Sequence, residues 1–428
     1  MVASDDNRMI VVVTGANTGI GLGICHRLLS SLSLPLDQAI TEATPQSSAF
    51  APSHQRSAGL SSSSSSQRTE LTLTLILACR SLKKAEVAKE ALLERHLRVL
   101  EKRRGKGLVV PKGWKEGLRI EIELLDVDSP NGENGILDFC QRLRGKYPYI
   151  TSLYSNAGVH GAISQRWGAM VLEVFRKGLL YACSHDKAYM DEEVGRLSRD
   201  KQRGAIWGIN TFAPYLLSTE LIGLLQQSPS SLPFSPRIIY TTSSTTELSD
   251  FDGLDPAADP QLLRMSKVYA PSKYAGDLLI DDLDRRYGRP SADRRAVRAL
   301  CGEPGCVATN AAKDWMMESP LYGFLQAANL IVFLLLRLIG SPYHPRDTED
   351  ATAGLLYAAL VPDEHLPPAG GNERFRFGAH AHPLRDATVD YIPLDGGKSE
   401  QADRIFKVQL AECERVREEC KRLEKDGR

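Results

Sequence analysis

A doubly wound α/β fold around a parallel sheet is the class this sequence predicts, on three observations. Short apolar runs such as Met9 to Val13 and Leu71 to Cys79 (LTLTLILAC) are near-continuous, as expected of strands covered on both faces. Segments of helical period lie between these runs, and right-handed crossovers then put helices on both sides of the sheet. A glycine-rich turn joins the first run to the first helical segment, as at the opening of a βαβ unit.

In chain order, Met9 to Val13 is the first strand and Ile20 to Leu29 the first helix. Residues 31–69, rich in Ser, Pro and Ala and including Ser61 to Ser66, are too polar to pack a core and are expected to be a disordered insertion. The second strand is Leu71 to Cys79, the next helix Lys83 to Arg104, the third strand Leu118 to Leu125 and the helix after it Ile136 to Leu143. Tyr149 to Tyr154 and Arg237 to Thr241 read as the fourth and fifth strands. The helix Ile209 to Leu225 lies between them, preceded by an insertion over 159–208. A helix at Tyr269 to Arg286 and a sixth strand at Val297 to Cys301 follow. Asp403 to Leu423, within the charged segment 400–428, is expected to be a surface helix.

Composition narrows the functions. Basic and acidic residues balance at 53 each, so no net field draws the chain to nucleic acid, and no nucleic-acid partner is expected. The eight cysteines form no CxxC pair and no cluster with metal-ligand spacing, and read as reduced thiols. No metal is expected. The start MVASDDNRMIVVVTG lacks the basic and apolar regions of a secretory signal.

The turn Thr14-Gly15-Ala16-Asn17-Thr18-Gly19-Ile20-Gly21 places glycines where a strand turns sharply and its backbone must approach a pyrophosphate. The helix that follows offers unpaired N–H groups and a partial positive charge to those phosphates. Cys79-Arg80-Ser81 stands at the end of the second strand, where a carboxylate would accept from a ribose 2′-hydroxyl. With Arg80 there instead, NADP(H) is expected over NAD(H). Asp126, ending the third strand, is a candidate contact for adenine, with Asp128 as the alternative.

Tyr269 and Lys273 lie one helical turn apart on one face. Carbonyl reduction needs a proton for the oxygen that gains charge, and a phenol near its ordinary pKa of about 10 is a sluggish acid. A neighbouring ammonium brings it closer to neutrality, and the Ser243 hydroxyl could hold the substrate oxygen beside it. Asn210 could connect the lysine to solvent through a water.

In this order the motifs resemble the short-chain dehydrogenase/reductase superfamily: Thr14 to Gly21, Asn156-Ala157-Gly158, Asn210, Ser243, Tyr269 with Lys273, and Pro304-Gly305-Cys306-Val307-Ala308-Thr309. The resemblance covers residues 8–395 less the serine-rich insertion, and implies a Rossmann-type doubly wound parallel sheet, a single domain with insertions. It implies Tyr269 as acid/base, Lys273 on the nicotinamide ribose and Ser243 orienting substrate. Gly15, Asn17, Thr18, Gly19, Ile20, Gly21, Arg80, Asp126, Asn156, Ala157, Gly158, Pro304, Gly305, Val307 and Thr309 would line NADP(H). Leu77-Ala78-Cys79-Arg80, Tyr154-Ser155, the insertion before Asn210, the sequence around Tyr269 and Gly340 to Pro345 look most like the 3-keto-steroid reductases of fungal sterol synthesis. Thr242 departs from them, since a second serine is usual there.

That likeness implies NADPH-dependent reduction of a sterol 3-ketone in C4-demethylation, with other enzymes of that sequence as partners. It places the protein at the cytosolic face of the endoplasmic reticulum, with lipid droplets as a second location. Reduction of 17-keto-steroids, retinal or other lipid carbonyls is the alternative, and a non-catalytic cofactor-binding scaffold is a third reading. Residues 321–339 (LYGFLQAANLIVFLLLRLI) approach a spanning length but carry Gln326, Asn329 and Arg337. We expect a helix lying at a membrane surface beside the pocket, or a lid over it.

Overall fold

A computed structural model describes residues 7–43, 71–108, 110–111, 113–184, 186–291, 293–307, 322–371 and 373–426. Ten strands are found among them: β1 Arg8–Thr14, β2 Thr72–Cys79, β3 Arg119–Leu124, β4 Ser152–Ser155, β5 Ala162–Gln165, β6 Met190–Glu192, β7 Arg237–Thr241, β8 Arg298–Glu303, β9 Phe375–His380 and β10 Thr388–Pro393. Eight form one sheet in the order β10-β9-β8-β7-β4-β1-β2-β3, while β5 and β6 make a separate hairpin. Neighbours pair in parallel except β9 with β10. Chain direction across the sheet reverses between β1 and β4, so a crevice opens there beyond the carboxyl ends of the strands, where ligands bind in such sheets.

The principal helices are α1 Gly19–Leu32, α2 Leu36–Ala43, α3 Leu82–Gly105, α4 Ile136–Lys146, α5 Trp167–Lys177, α6 Ala213–Gln226, α7 Tyr269–Tyr287, α8 Tyr322–Leu338, α9 Ala353–Leu360 and α10 Glu400–Asp426. Strand side chains alternate between two cores. Met9, Val11 and Val13 pack with α1, α3 and α9, while Ile10 and Val12 pack with α4, α6, α7 and α10. Both faces of the sheet are therefore covered, which is why β1 and β2 are buried at every position.

The structure corrects the sequence reading in three places and adds to it in a fourth. The insertion expected to be disordered from residue 31 starts with ordered chain. Leu32 and Ser33 are buried, α2 follows, and its Ala39 is fully buried; residues 44–70 lie outside the described set. The sheet has two further strands, β9 and β10, which close its far edge. The segment 159–208 carries a hairpin and helix α5. Finally, α10 is charged but not merely a surface helix. Ala402, Ile405, Gln409, Cys413, Val416 and Cys420 recur at three- and four-residue spacing and are all buried.

Gln409 explains how a polar side chain fits in that buried stripe: its Oε1 accepts from the Trp207 indole N–H at 2.7 Å and its Nε2 donates to the Pro260 carbonyl at 2.9 Å. Gln409→Leu leaves the buried Trp207 indole N–H and the half-buried Pro260 carbonyl without these partners, and is expected to cost about 1–3 kcal/mol. A urea midpoint unchanged from the parent would contradict this account.

Candidate active site

The glycine turn follows β1 directly. Gly15 at φ +66° and Gly19 at φ +54° occupy the left-handed region that side chains rarely adopt. An added Cβ at Gly21 would lie 2.3 Å from the Gly15 carbonyl oxygen and 2.6 Å from Asn156 Nδ2, so α1 packs against the turn as only glycine allows. Thr18 precedes α1 in an extended conformation with no side-chain cap. The first amides of α1 are thus left for an anion at the mouth of the crevice.

Thr14 and Asn156 tie this turn to the end of β4. The Thr14 hydroxyl donates to the Tyr154 carbonyl at 3.1 Å and accepts from the amides of Asn156 and Ala157, each at 2.9 Å. Asn156 Nδ2 donates to the Thr14 carbonyl at 3.0 Å, and its Oδ1 accepts from Thr241 Oγ1 at 3.3 Å. The candidate cofactor residues Gly15 to Gly21 and Asn156 to Gly158 therefore form one hydrogen-bonded unit.

Tyr269 opens α7 and Lys273 follows one turn on. Lys273 is buried, and its ammonium donates to the Thr241 carbonyl at 2.8 Å and lies 4.9 Å from the Tyr240 ring centroid. Burial pushes its pKa down from 10.5 to about 8, against the opposing charges of Asp277 and Cys301. An added Cβ at Gly158 would stand 3.2 Å from this ammonium and 3.1 Å from Asn210 Oδ1. Glycine is thus what lets the loop approach both groups. The Tyr269 ring stacks on His160, with centroids 4.1 Å apart. Tyrosine, lysine and asparagine are brought together at the carboxyl end of β4.

A π-helical turn, Gly208–Phe212, precedes α6 and carries Asn210. Its side chain exchanges two 2.9 Å hydrogen bonds with the Val159 backbone and donates to Ser272 Oγ at 3.0 Å. It therefore bolts the loop after Gly158 to α7. Ser243 lies beyond β7, half-buried, with its hydroxyl 2.9 Å from Thr245 Oγ1. Thr242, the departure noted above, buries its hydroxyl on Asp277 at 2.8 Å.

Arg80 is exposed at the end of β2, with no carboxylate beside it in sequence. Asp126 is ion-paired with Arg199 at 2.5 Å, and Arg199 also approaches Asp128 at 3.5 Å, so the expected adenine carboxylate is already engaged by the 159–208 insertion. Pro304, Gly305 and Val307 leave β8. An added Cβ at Gly305 would lie 2.4 Å from Pro345, and the Cys306 amide donates to the Tyr343 carbonyl at 2.6 Å, which packs this segment on residues 340–345. Thr309 lies outside the described residues.

Three residues of the site escaped the sequence reading. Arg376 of β9 donates to the Ser243 carbonyl and to Thr246 Oγ1, each at 2.7 Å, and pairs with Glu303 at 3.3 Å. Burial pushes Glu303 up to about 7. His160 and Glu192 flank Tyr269. An arginine between Phe375 and Phe377 was the available signal for the first; none existed for the other two.

The cysteines are all free thiols and no metal-binding group occurs among the described residues. The fold and this ordered motif set are similar to those of the short-chain dehydrogenase/reductases, an oxidoreductase architecture. Within it, the chain is similar to a 3-keto-steroid reductase of Kluyveromyces lactis, 26% identical over 67% of this chain and 74% of the relative. It is also similar to the rat 3-keto-steroid reductase/17-beta-hydroxysteroid dehydrogenase 7, 23% identical over 71% and 68%. Among solved structures, levodione reductase aligns with a TM-score of 0.44 at 14% identity, over 91% of this chain and 97% of that one. No family model matches the chain.

Proposed function

We propose that the protein reduces the 3-keto group of a sterol intermediate to the 3β-hydroxyl with NADPH, in a C4-demethylation sequence. One observation carries the reading. The buried Lys273 ammonium stands a helical turn beyond Tyr269, and both abut the Gly158–His160 loop at the crevice where the sheet reverses. The similarity to 3-keto-steroid reductases supports the substrate class.

The residues present fit a dinucleotide. The positive-φ turn, the close approach at Gly21 and the uncapped start of α1 suit a pyrophosphate, and Arg80 suits a 2′-phosphate. When bound, NADPH supplies hydride. Tyr269 supplies the proton that the carbonyl oxygen takes up, Lys273 holds positive charge beside the phenol, and Ser243 donates to the same oxygen. Arg376 fixes the Ser243 turn from beneath.

Helix α8 fits a lipid-borne substrate. Leu330, Ile331, Leu334, Leu335 and Leu338 are exposed along it, while Leu336 and Arg337 are buried, the arginine donating to the His382 and Arg385 carbonyls at 2.7 and 2.8 Å. No helix among the described residues is long and apolar enough to cross a membrane. An apolar face anchored from behind suits a helix resting on the cytosolic surface of the endoplasmic reticulum, within reach of other C4-demethylation enzymes.

The test is NADPH consumption by purified protein with a panel of a 3-keto sterol, a 17-keto steroid and retinal. Preference for either of the last two replaces the substrate, and turnover of none favours the scaffold reading. Arg80→Asp should shift preference toward NADH by about tenfold or more; an unaltered NADPH/NADH ratio of kcat/KM would mean that another group holds the 2′-phosphate.

The Lys273 value sets a pH dependence. Below about 8 the side chain carries its charge, and above it the ammonium is lost. Turnover should therefore fall as pH rises through that value. A flat kcat/KM between pH 7 and 9.5 would show that the charge is not used.

A further inference from the structure

Resting on the reductase reading, we infer that the inserted hairpin governs Tyr269 through Glu192, a positioning residue that holds the start of α7 and opposes ionisation of the phenol. The amino end of α7 has no capping side chain of its own: Val268 occupies the cap position and cannot accept a hydrogen bond. Glu192, the last residue of β6 and buried, does this from 76 positions away. Its Oε2 accepts from the Val268 amide at 2.7 Å and the Tyr269 amide at 2.8 Å.

The hairpin is fastened to the cofactor loop as well. Ala162 pairs with Glu192, and the Glu193 amide donates to the Gly161 carbonyl at 3.0 Å. Gly161 turns there at φ +74°, one residue after His160. Tyr269 is thus held twice by one strap: its backbone by Glu192, its ring by the His160 stack. The strap starts from Gly158, beside Lys273, so the loop, hairpin and helix are tied together.

The same contact is electrostatic. A carboxylate at a helix amino end neutralises the partial positive charge that would otherwise favour a phenolate in the first turn. The titratable groups around Tyr269 are His160 from the β4 loop, Tyr240 from β7, Glu192 from the hairpin, and Lys267 and Lys273 on its own segment. Arg166 and Asp191 of the hairpin act on Lys267. Burial, with the charge of Lys267 adding to it, pushes His160 down to about 4, so that ring is neutral at working pH. Glu192 is then the negative charge closest to the Tyr269 backbone.

The experiment is a 13Cζ-tyrosine NMR titration of the full-length chain, with Tyr269→Phe assigning the signal. Glu192→Gln keeps an acceptor oxygen and removes the charge, and Tyr269 should titrate about half a unit lower in it. Glu192→Ala removes both, and should lower ketone turnover about tenfold or more while leaving NADPH affinity within about twofold, with Glu192→Gln restoring most of the rate. An unchanged titration in Glu192→Gln overturns the inference, whether or not any ketone is reduced. Wild-type protein that reduces no ketone strikes the reductase reading and leaves the titration result standing.

Discussion

Tyr269→Phe is expected to lower kcat for ketone reduction by two to four orders of magnitude, the range for removing a positioned proton donor, while NADPH binds as before. The substitution deletes one oxygen and keeps the ring, so the stack on His160 and the amide hydrogen bond to Glu192 survive. The Lys273 ammonium keeps its hydrogen bond to the Thr241 carbonyl. Single-turnover rates with fluorescence titration of NADPH separate chemistry from binding. Residual turnover near wild type would remove the phenol from the mechanism and leave Ser243 or a water as donor.

The sequence made the sheet legible where burial is total. β1 and β2 are buried at every position, and an all-apolar or β-branched run is what such an environment demands. β9 and β10 were not legible for the opposite reason. Arg376, His380 and Asp390 interrupt them; Arg376 is satisfied by distant partners, Glu303 and the Ser243 turn, while His380 and Asp390 pair with each other across the two strands. Helix α10 misled in another way: fifteen charged residues in 27 hide a stripe of only six buried residues, and it includes a glutamine whose partners, Trp207 and Pro260, are nowhere near it in sequence.

Within the site, glycines, Tyr269 and Lys273 were readable because each serves a local need, a turn or a single helix face. Asn210 was readable as a position but not as a contact, since its π-turn and its bonds to Val159 and Ser272 depend on tertiary packing. Glu192 and Arg199 carry no local pattern at all. They matter through partners 76 and 73 positions away, distances over which a sequence read by period and motif is silent.

Gly21→Val is the other substitution with a large expected effect, a loss of NADPH affinity of about 100-fold or more, equivalent to about 2.8 kcal/mol. The first added carbon would sit 2.3 Å from the Gly15 carbonyl oxygen, 2.8 Å from its carbon and 2.6 Å from Asn156 Nδ2. Two of those atoms are backbone of the phosphate turn, so no side-chain rotation relieves the overlap. Helix α1 must swing away from the turn, carrying its free amides off the position that a pyrophosphate would occupy. Gly23 supplies the control, because an added carbon there would meet the Thr348 carbonyl oxygen at 2.6 Å, away from the turn. Gly23→Ala should lower thermal stability while the folded protein still binds NADPH. If Gly21→Val binds NADPH as tightly as wild type, or if Gly23→Ala weakens it equally, the glycine turn is a packing device and the dinucleotide lies elsewhere.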